Sequence, residues 1–218
     1  MINFSTLILC GADNGTAIPA IPSATCEHFG KVQRIFFQRL KKEDGTLNSM
    51  TLAESKLLAT YTPLLTEETL GTKLQATPFT ESPAFTDGTV RTARGGNDSY
   101  GGIPISLGYE PTEFEAQILS ANQAVIKALK SYRNEASDNL GVILVSAEGK
   151  LMINTDDSAN PTTVYPIPIQ QFNVGNKVAG GYDDVDYNSI SFQLEDNWSN
   201  DTTVINRADL DFDPLTAF

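Results

Sequence analysis

The side chains able to do chemistry are few in this chain, and their spacing is poor for it. His28 is the only histidine; it stands two positions after Cys26, and Cys10 is the only other thiol. A zinc site takes four ligands, or three and a water, at characteristic intervals. Cys26 and His28 would need two further well-spaced ligands, so His28 is read as a turn residue before Phe29. A serine nucleophile has no context either, because no G-x-S-x-G occurs and His28 is the only imidazole to act as base. Gly95-Gly-Asn-Asp-Ser-Tyr-Gly-Gly102 is rich in glycine but lacks the Lys-Ser/Thr ending of a phosphate loop. It is read as a place where the chain bends sharply or approaches a neighbour closely. The best cation candidate is Gly180-Gly-Tyr-Asp-Asp-Val-Asp-Tyr-Asn188, where Asp183, Asp184 and Asp186 could offer oxygens to calcium. Their spacing departs from that of an EF-hand loop, and a solvated acidic loop is the reading adopted. No pair of carboxylates is marked out for glycoside hydrolysis, and Trp198 and the tyrosines form no visible sugar-stacking platform. No catalytic residue set and no cofactor site is expected, and an enzyme is not the expected class.

Charge points the same way. The chain carries a formal charge of -12, and nine of its 27 acids lie between Asp183 and Asp213, with Arg207 the single base there. Binding to nucleic acid needs clustered Lys and Arg against phosphate, so specific DNA or RNA contact is disfavoured. The one basic run, Lys31 to Lys42, interleaves Arg34 and Arg39 with apolar residues, as on the wet side of a strand or against an acidic neighbour. No stretch reaches the roughly 18 apolar residues that cross a bilayer, and no membrane partner is expected. The first ten residues resemble a lipoprotein signal only in outline, since they lack a basic start and place Leu9 before Cys10. Two cysteines make no disulfide framework, and synthesis in a reducing cytoplasm is expected.

The elements that position these residues are mostly strands. Residues 1–28 read as an N-terminal arm, with a turn cluster at Gly11–Gly15 and an extended Ile18-Pro-Ala-Ile-Pro22. Residues 29–218 read as a single β-rich domain. Val32–Leu40 is a strand and Glu43-Asp-Gly45 a turn. Ser49–Leu58 has a weak helical pattern that Pro63 halts. Residues 41–87 form a long loop, Thr- and Pro-rich in its second half, and such connections are usually functional or interfacial. Thr89–Arg94 and Ile103–Tyr109 are strands, the second with Ile103, Ile105 and Leu107 on one face. Thr112 and Glu115 match a capping box, and Phe114, Ile118, Val125, Leu129 and Tyr132, with Leu119 and Ile126, predict one long helix over 112–133. Leu140–Ser146 and Lys150–Ile153 form a hairpin through Glu148-Gly149. Thr163–Val174 is extended and interrupted by proline, which suits a sheet edge. Asn188–Leu194 alternates as a strand, and the apolar close Pro214-Leu-Thr-Ala-Phe218 suggests docking on the core or on a neighbour. The fold class is α+β: a mainly antiparallel β-sandwich or half-barrel with one long amphipathic helix packed on the sheet.

Three stretches together carry a family resemblance. They are Lys31-Val-Gln-Arg-Ile-Phe-Phe37; Gly101-Gly-Ile-Pro-Ile-Ser-Leu-Gly-Tyr-Glu-Pro-Thr-Glu-Phe114 with the Leu140-Gly-Val-Ile-Leu-Val145 hairpin; and Phe192-Gln-Leu-Glu-Asp-Asn-Trp198 with Asp211-Phe-Asp-Pro-Leu215. Over residues 30–218 the pattern resembles virion structural proteins of tailed bacteriophages with Bacteroidetes-type hosts, and in plan the tail tube (major tail) proteins. That resemblance implies a homo-oligomer of stacked hexameric rings, contacts with other virion proteins, and a duct through which DNA passes without specific binding. It implies a place in the virion, with residues 1–28 and 41–87 as assembly elements. Acidic walls would suit such a duct by repelling phosphate. The alternatives are a capsid-associated, connector-ring or tail-completion protein, or a secreted β-rich binding module.

Overall fold

A computed structural model describes residues 28–67, 71–96, 102–135, 139–157, 159–182 and 184–218. The expected arm thus lies, but for His28, outside the described residues. The first strand, β1 (Val32–Arg39), alternates its side chains between two cores: Val32, Ile35 and Phe37 face one, Phe36 the other. Its neighbour β8 (Leu140–Ser146) is buried throughout, because apolar side chains leave it on both faces. A continuous Leu-Gly-Val-Ile-Leu-Val run is what a strand covered on both sides requires.

The remaining strands are β2 (Met50–Thr51), β3 (Leu74–Ala76), β4 (Thr80–Thr86), β5 (Val90–Ala93), β6 (Ile105–Tyr109), β7 (Thr112–Leu119), β9 (Leu151–Thr155), β10 (Thr163–Tyr165), β11 (Ile167–Val174), β12 (Tyr187–Leu194) and β13 (Thr202–Ile205). All but β5 and β6 join one eleven-stranded antiparallel sheet, which contains the path β2-β10-β9-β8-β11-β12-β7-β4. The sheet curls because two long segments are shared between neighbours. The chain from β3 to β4 pairs first with β1 and then with β7. Between them, Thr77 ties it to β1: its N–H donates to the Ile35 carbonyl and its Oγ1 accepts from the Ile35 N–H. The chain from β10 to β11 pairs first with β9 and then with β8, crossing the fork where the β8–β9 hairpin opens. The result is a half-barrel whose interior holds Phe114, Ile118, Ile169, Phe172, Ile190 and Phe192.

Three sequence expectations are corrected. The long helix over 112–133 does not form. Its first half is β7, and the helix α2 spans only Gln123–Ser131, followed by a 3-10 turn at Tyr132–Asn134. Thr112, Phe114, Ala116 and Ile118 point inward while Glu113 and Glu115 point out, a strict period of two. β7 pairs with β12 on one side and β4 on the other, so its backbone groups are satisfied without a helix. The true cap is Asn122, whose Oδ1 accepts the Val125 N–H at 3.0 Å. Second, Pro63 does not halt a helix but lies inside α1 (Leu58–Thr66); residues 41–87 carry β2, α1, β3 and β4 rather than one long loop. Third, Thr163–Val174 is not at an edge. Pro166 falls at the crossing between partners, and Pro168 sits opposite Gly141. A Cβ on Gly141 would lie 2.6 Å from Cβ of Pro166, so glycine is needed for that close approach.

The outer face of β1, β8 and β9 is covered by α1 and by the C-terminal segment. Tyr61 from α1, with Leu210, Phe212 and Phe218, packs over Phe36, Ile143 and Val145. The Phe218 ring meets Phe36 edge-on at 5.1 Å and Phe212 at 5.4 Å. The apolar close of the chain therefore docks on its own core.

Candidate assembly surface

The residues singled out as possible ligands do not converge. Asp183 lies outside the described residues. Asp184 accepts the Val185 N–H through Oδ1, while Asp186 accepts the Gly180 N–H and pairs with Lys177 at 3.2 Å. The Lys177 ammonium, with the Gly180 amide, holds the Asp186 carboxyl below its ordinary range. Among the described residues, no three His, Cys, Asp or Glu side chains gather as a metal site would need. His28 stands exposed, 3.7 Å from Glu148.

Three cations of the basic run are engaged within the molecule. Lys31 pairs with Glu81 at 2.9 Å, and Arg39 makes a two-pronged contact with Glu135 at 2.6 and 2.7 Å. Arg34 donates to the Thr77 and Leu215 carbonyls and lies over the Phe79 ring. These cations clamp β1 to β4, to the turn after α2 and to the C-terminal segment. They do not form a phosphate-binding stripe.

Two surfaces remain. The first is a projecting ribbon. β4 and β7 run on, past Asp87–Thr89 and Glu110–Pro111, into the separate two-stranded sheet of β5 and β6. The junction is tight: a Cβ on Gly88 would strike the Glu110 carbonyl. The Glu110 N–H donates to the Thr89 carbonyl, and the Thr89 hydroxyl donates to Glu110 Oε2 at 2.8 Å. Beyond it, Val90, Ile103, Ile105, Leu107 and Tyr109 are all exposed, Leu107 by 65%. The register steps between Arg91 and Thr92, with Ser106 and Gly108 as their partners, so Leu107 is an extra residue in β6. That bulge reverses the facing expected from simple alternation. Ile105 opposite Ala93 lies on one face of the ribbon, and Tyr109 opposite Val90 on the other. The ribbon is thus apolar on both sides, and it also carries Arg91 and Arg94 on an otherwise acidic molecule. An isolated two-stranded ribbon is marginal in water, and contiguous exposed apolar surface marks an interaction site.

The second surface is the outer face of β4, β7, β12 and β11. Glu113, Glu115 and Gln117 stand opposite Gln193, Ser191 and Ser189 across the β7–β12 pair. None of the four strands contains a Lys or Arg. At its borders Lys31 meets Glu81 and Arg133 meets Asn173. The carboxylates of this face repel phosphate, and no ammonium or guanidinium on the four strands offsets them.

No protein-family model matches the chain, and no curated protein matches it. Among solved structures, a chain of the anti-feeding prophage baseplate, determined by cryo-electron microscopy and 6-fold symmetrised, is similar with 8% identity and a TM-score of 0.33, covering 88% of this chain and 98% of that one. At that score the likeness decides nothing about role.

The sequence pointed to neither surface as a site. The ribbon's apolar residues read as ordinary strand alternation, and what sets them apart is that among the described residues no layer covers them. In β7 and β12 the sequence places Glu, Gln and Ser at every second position, but the helical reading of 112–133 hid this in β7.

Proposed function

We propose that this chain is a virion structural subunit that works by self-assembly, forming a ring or tube of a phage tail through which DNA passes. The observation that carries the reading is the β5–β6 ribbon, an apolar projection that a solitary protein would have reason to avoid. Docked on a neighbouring copy, it would bury the side chains that water now touches and bring Arg91 and Arg94 against an acidic surface. The cation-free face of β7 and β12 suits the wall of the duct, because phosphate affinity rests on Lys and Arg. Hexameric stacked rings, and residence in the virion with other virion proteins, follow from the resemblance to tail tube proteins.

The test is assembly state. Purified chain is expected to form rings or tubes in negative-stain images and to sediment as a multimer. Replacing residues 90–109 by a short Gly-Ser turn is expected to leave a folded monomer, with unchanged circular dichroism in the sheet region. A wild-type chain that stays monomeric at high concentration, or a ribbon-deleted chain that assembles as before, would refute the proposal. Ring symmetry in the same images separates a tube subunit from a connector or completion protein.

A further inference from the structure

The ribbon leaves the sheet at one end, and a second apolar surface lies at the other. The ribbon continues β4 and β7 from the end where Thr86 stands opposite Glu113 and Thr112 opposite Leu194. At the far end of β7, Leu119 stands opposite Tyr187, and Tyr187 stands in turn opposite Val178. Directly opposed residues of antiparallel strands project to one side. Leu119, Tyr187 and Val178 therefore form a row across three adjacent segments. The row ends the face that carries Glu113, Glu115 and Gln117. Leu119 and Val178 are exposed, and so are Tyr182 and Val185 on the turn between Val178 and Tyr187. β7 has eight residues, which sets the row about 24 Å from the base of the ribbon.

The two surfaces complement each other in charge as well as in apolar character. β5 is regular, so Arg91 and Ala93 share a ribbon face, and Ala93 stands opposite Ile105. Arg91 is exposed and reaches Glu110 only at 4.0 Å. Beside Val185, the Asp184 Oδ1 accepts the Val185 N–H, and among the described residues no Lys or Arg pairs with it. One surface thus offers a guanidinium beside Ile105, and the other a carboxylate beside Val185. Ribbon-to-ribbon pairing would gather the arginines of both copies and leave the row in water. A ribbon laid on the row of another copy covers both. Because the two surfaces lie at opposite ends of the same strands, that contact is heterologous, and it carries each copy forward along the strand direction.

We propose that the Arg91–Ile105 face of one copy's ribbon docks on the Leu119–Tyr187–Val178 row of the next, with Arg91 against Asp184, so that copies add head to tail. The inference rests on the self-assembly proposed above and names the surface that receives the ribbon.

Sedimentation velocity on two full-length variants and their mixture tests this. Leu119→Asp with Val178→Asp spoils the row and keeps the ribbon. Replacing residues 90–109 by a Gly-Ser turn removes the ribbon and keeps the row. Each alone is expected to sediment as a monomer. An equimolar mixture is expected to form a dimer and grow no further, since each component brings the half the other lacks. Asp184→Arg is expected to weaken assembly of the otherwise unchanged chain at least about tenfold, because two guanidinium groups then face each other. If the Leu119, Val178 double variant does not fold, Val185→Asp on the exposed turn replaces it in the mixture. A row variant that assembles like wild type, or a mixture that stays monomeric, overturns the docking site and leaves the self-assembly reading standing. A wild-type chain that stays monomeric overturns that reading, and the docking site with it.

Discussion

At the scale of single residues, carboxylates act as local fasteners in this chain. Asp156 is the clearest. Its Oδ1 accepts the N–H groups of Asp157, Thr162 and Thr163, each at 3.1 Å, and its Oδ2 accepts the Thr162 hydroxyl at 2.6 Å. These donors, the Thr162 hydroxyl first, hold the Asp156 carboxyl far below the ordinary carboxylate range. The side chain closes the connection from β9 to β10. Glu135 is likewise held low by its hydrogen bonds to Arg39. A group whose folded pKa lies below its unfolded value stabilises the fold at pH values above the unfolded one, about 4. That contribution falls away as pH drops through the lower, folded value. Urea unfolding at a series of pH values is therefore expected to show stability falling below about pH 4. Asp156→Ala is expected to be less stable than wild type at pH 7 and to have a shallower acid limb, and an unchanged limb would contradict the role assigned to this side chain.

At the scale of elements, β7 and α2 show how local and non-local preferences compete. The spacing Phe114–Ile118 and Val125–Leu129 fits a helix at both ends. Between them, Ser120 takes a left-handed φ of 47°, which breaks the run, and Asn122 starts a new element. α2 then drops Ile126 and Leu129 into the barrel mouth, while Val125 is only partly buried. Tyr132, just beyond it, packs on Phe37 at 5.6 Å. Leu129→Asp is thus expected to destabilise strongly, because an unpaired carboxylate would be buried in an apolar layer. Val125→Asp is expected to cost distinctly less, since its side chain can turn to water. Thermal denaturation of the two variants checks the order, and the reverse ranking would show that the helix packs through a different face. On β7, Phe114→Ala is expected to cost about 3–5 kcal/mol, since its ring is fully buried and stacks on Phe192 at 4.7 Å.

At the scale of the whole molecule, two cores share strands β1 and β8. One fills the half-barrel, and the other lies under α1 and the C-terminal segment. Burial pushes the Tyr61 phenol well up, and its hydroxyl donates to the Ser55 carbonyl at 3.0 Å. Removing residues 210–218 would uncover Phe36, Tyr61 and Ile143 together. Such a truncation is expected to unfold at lower denaturant and to expose dye-binding apolar surface, whereas removing only the β5–β6 ribbon is expected to do neither. The contrast separates surface kept for the fold from surface kept for neighbours. Were both deletions silent in stability, the C-terminal segment would be no part of the core.

Much of this was already legible in the residues. β1, the β8–β9 hairpin and β12 follow from strand-length runs with period-two or continuous apolar patterning and a glycine turn, Gly149 with φ +74°. Their partners confirm what local pattern demanded. The scarcity of catalytic groupings and the acidity are properties of composition and need no fold. Tertiary structure alone decided the rest. Whether Thr112–Leu119 became strand or helix depended on β4 and β12 lying on either side of it. Whether a Pro-broken Thr163–Val174 could sit inside a sheet depended on Gly141 opposite and on a change of partner at Pro166. Whether the apolar residues of β5 and β6 were core or surface depended on which layers lie over them, and none of the described residues forms one. Those outcomes rest on contacts between residues far apart in the chain; the Thr112–Leu119 run fits a helical stripe and a period of two alike, and only its neighbours β4 and β12 chose between them.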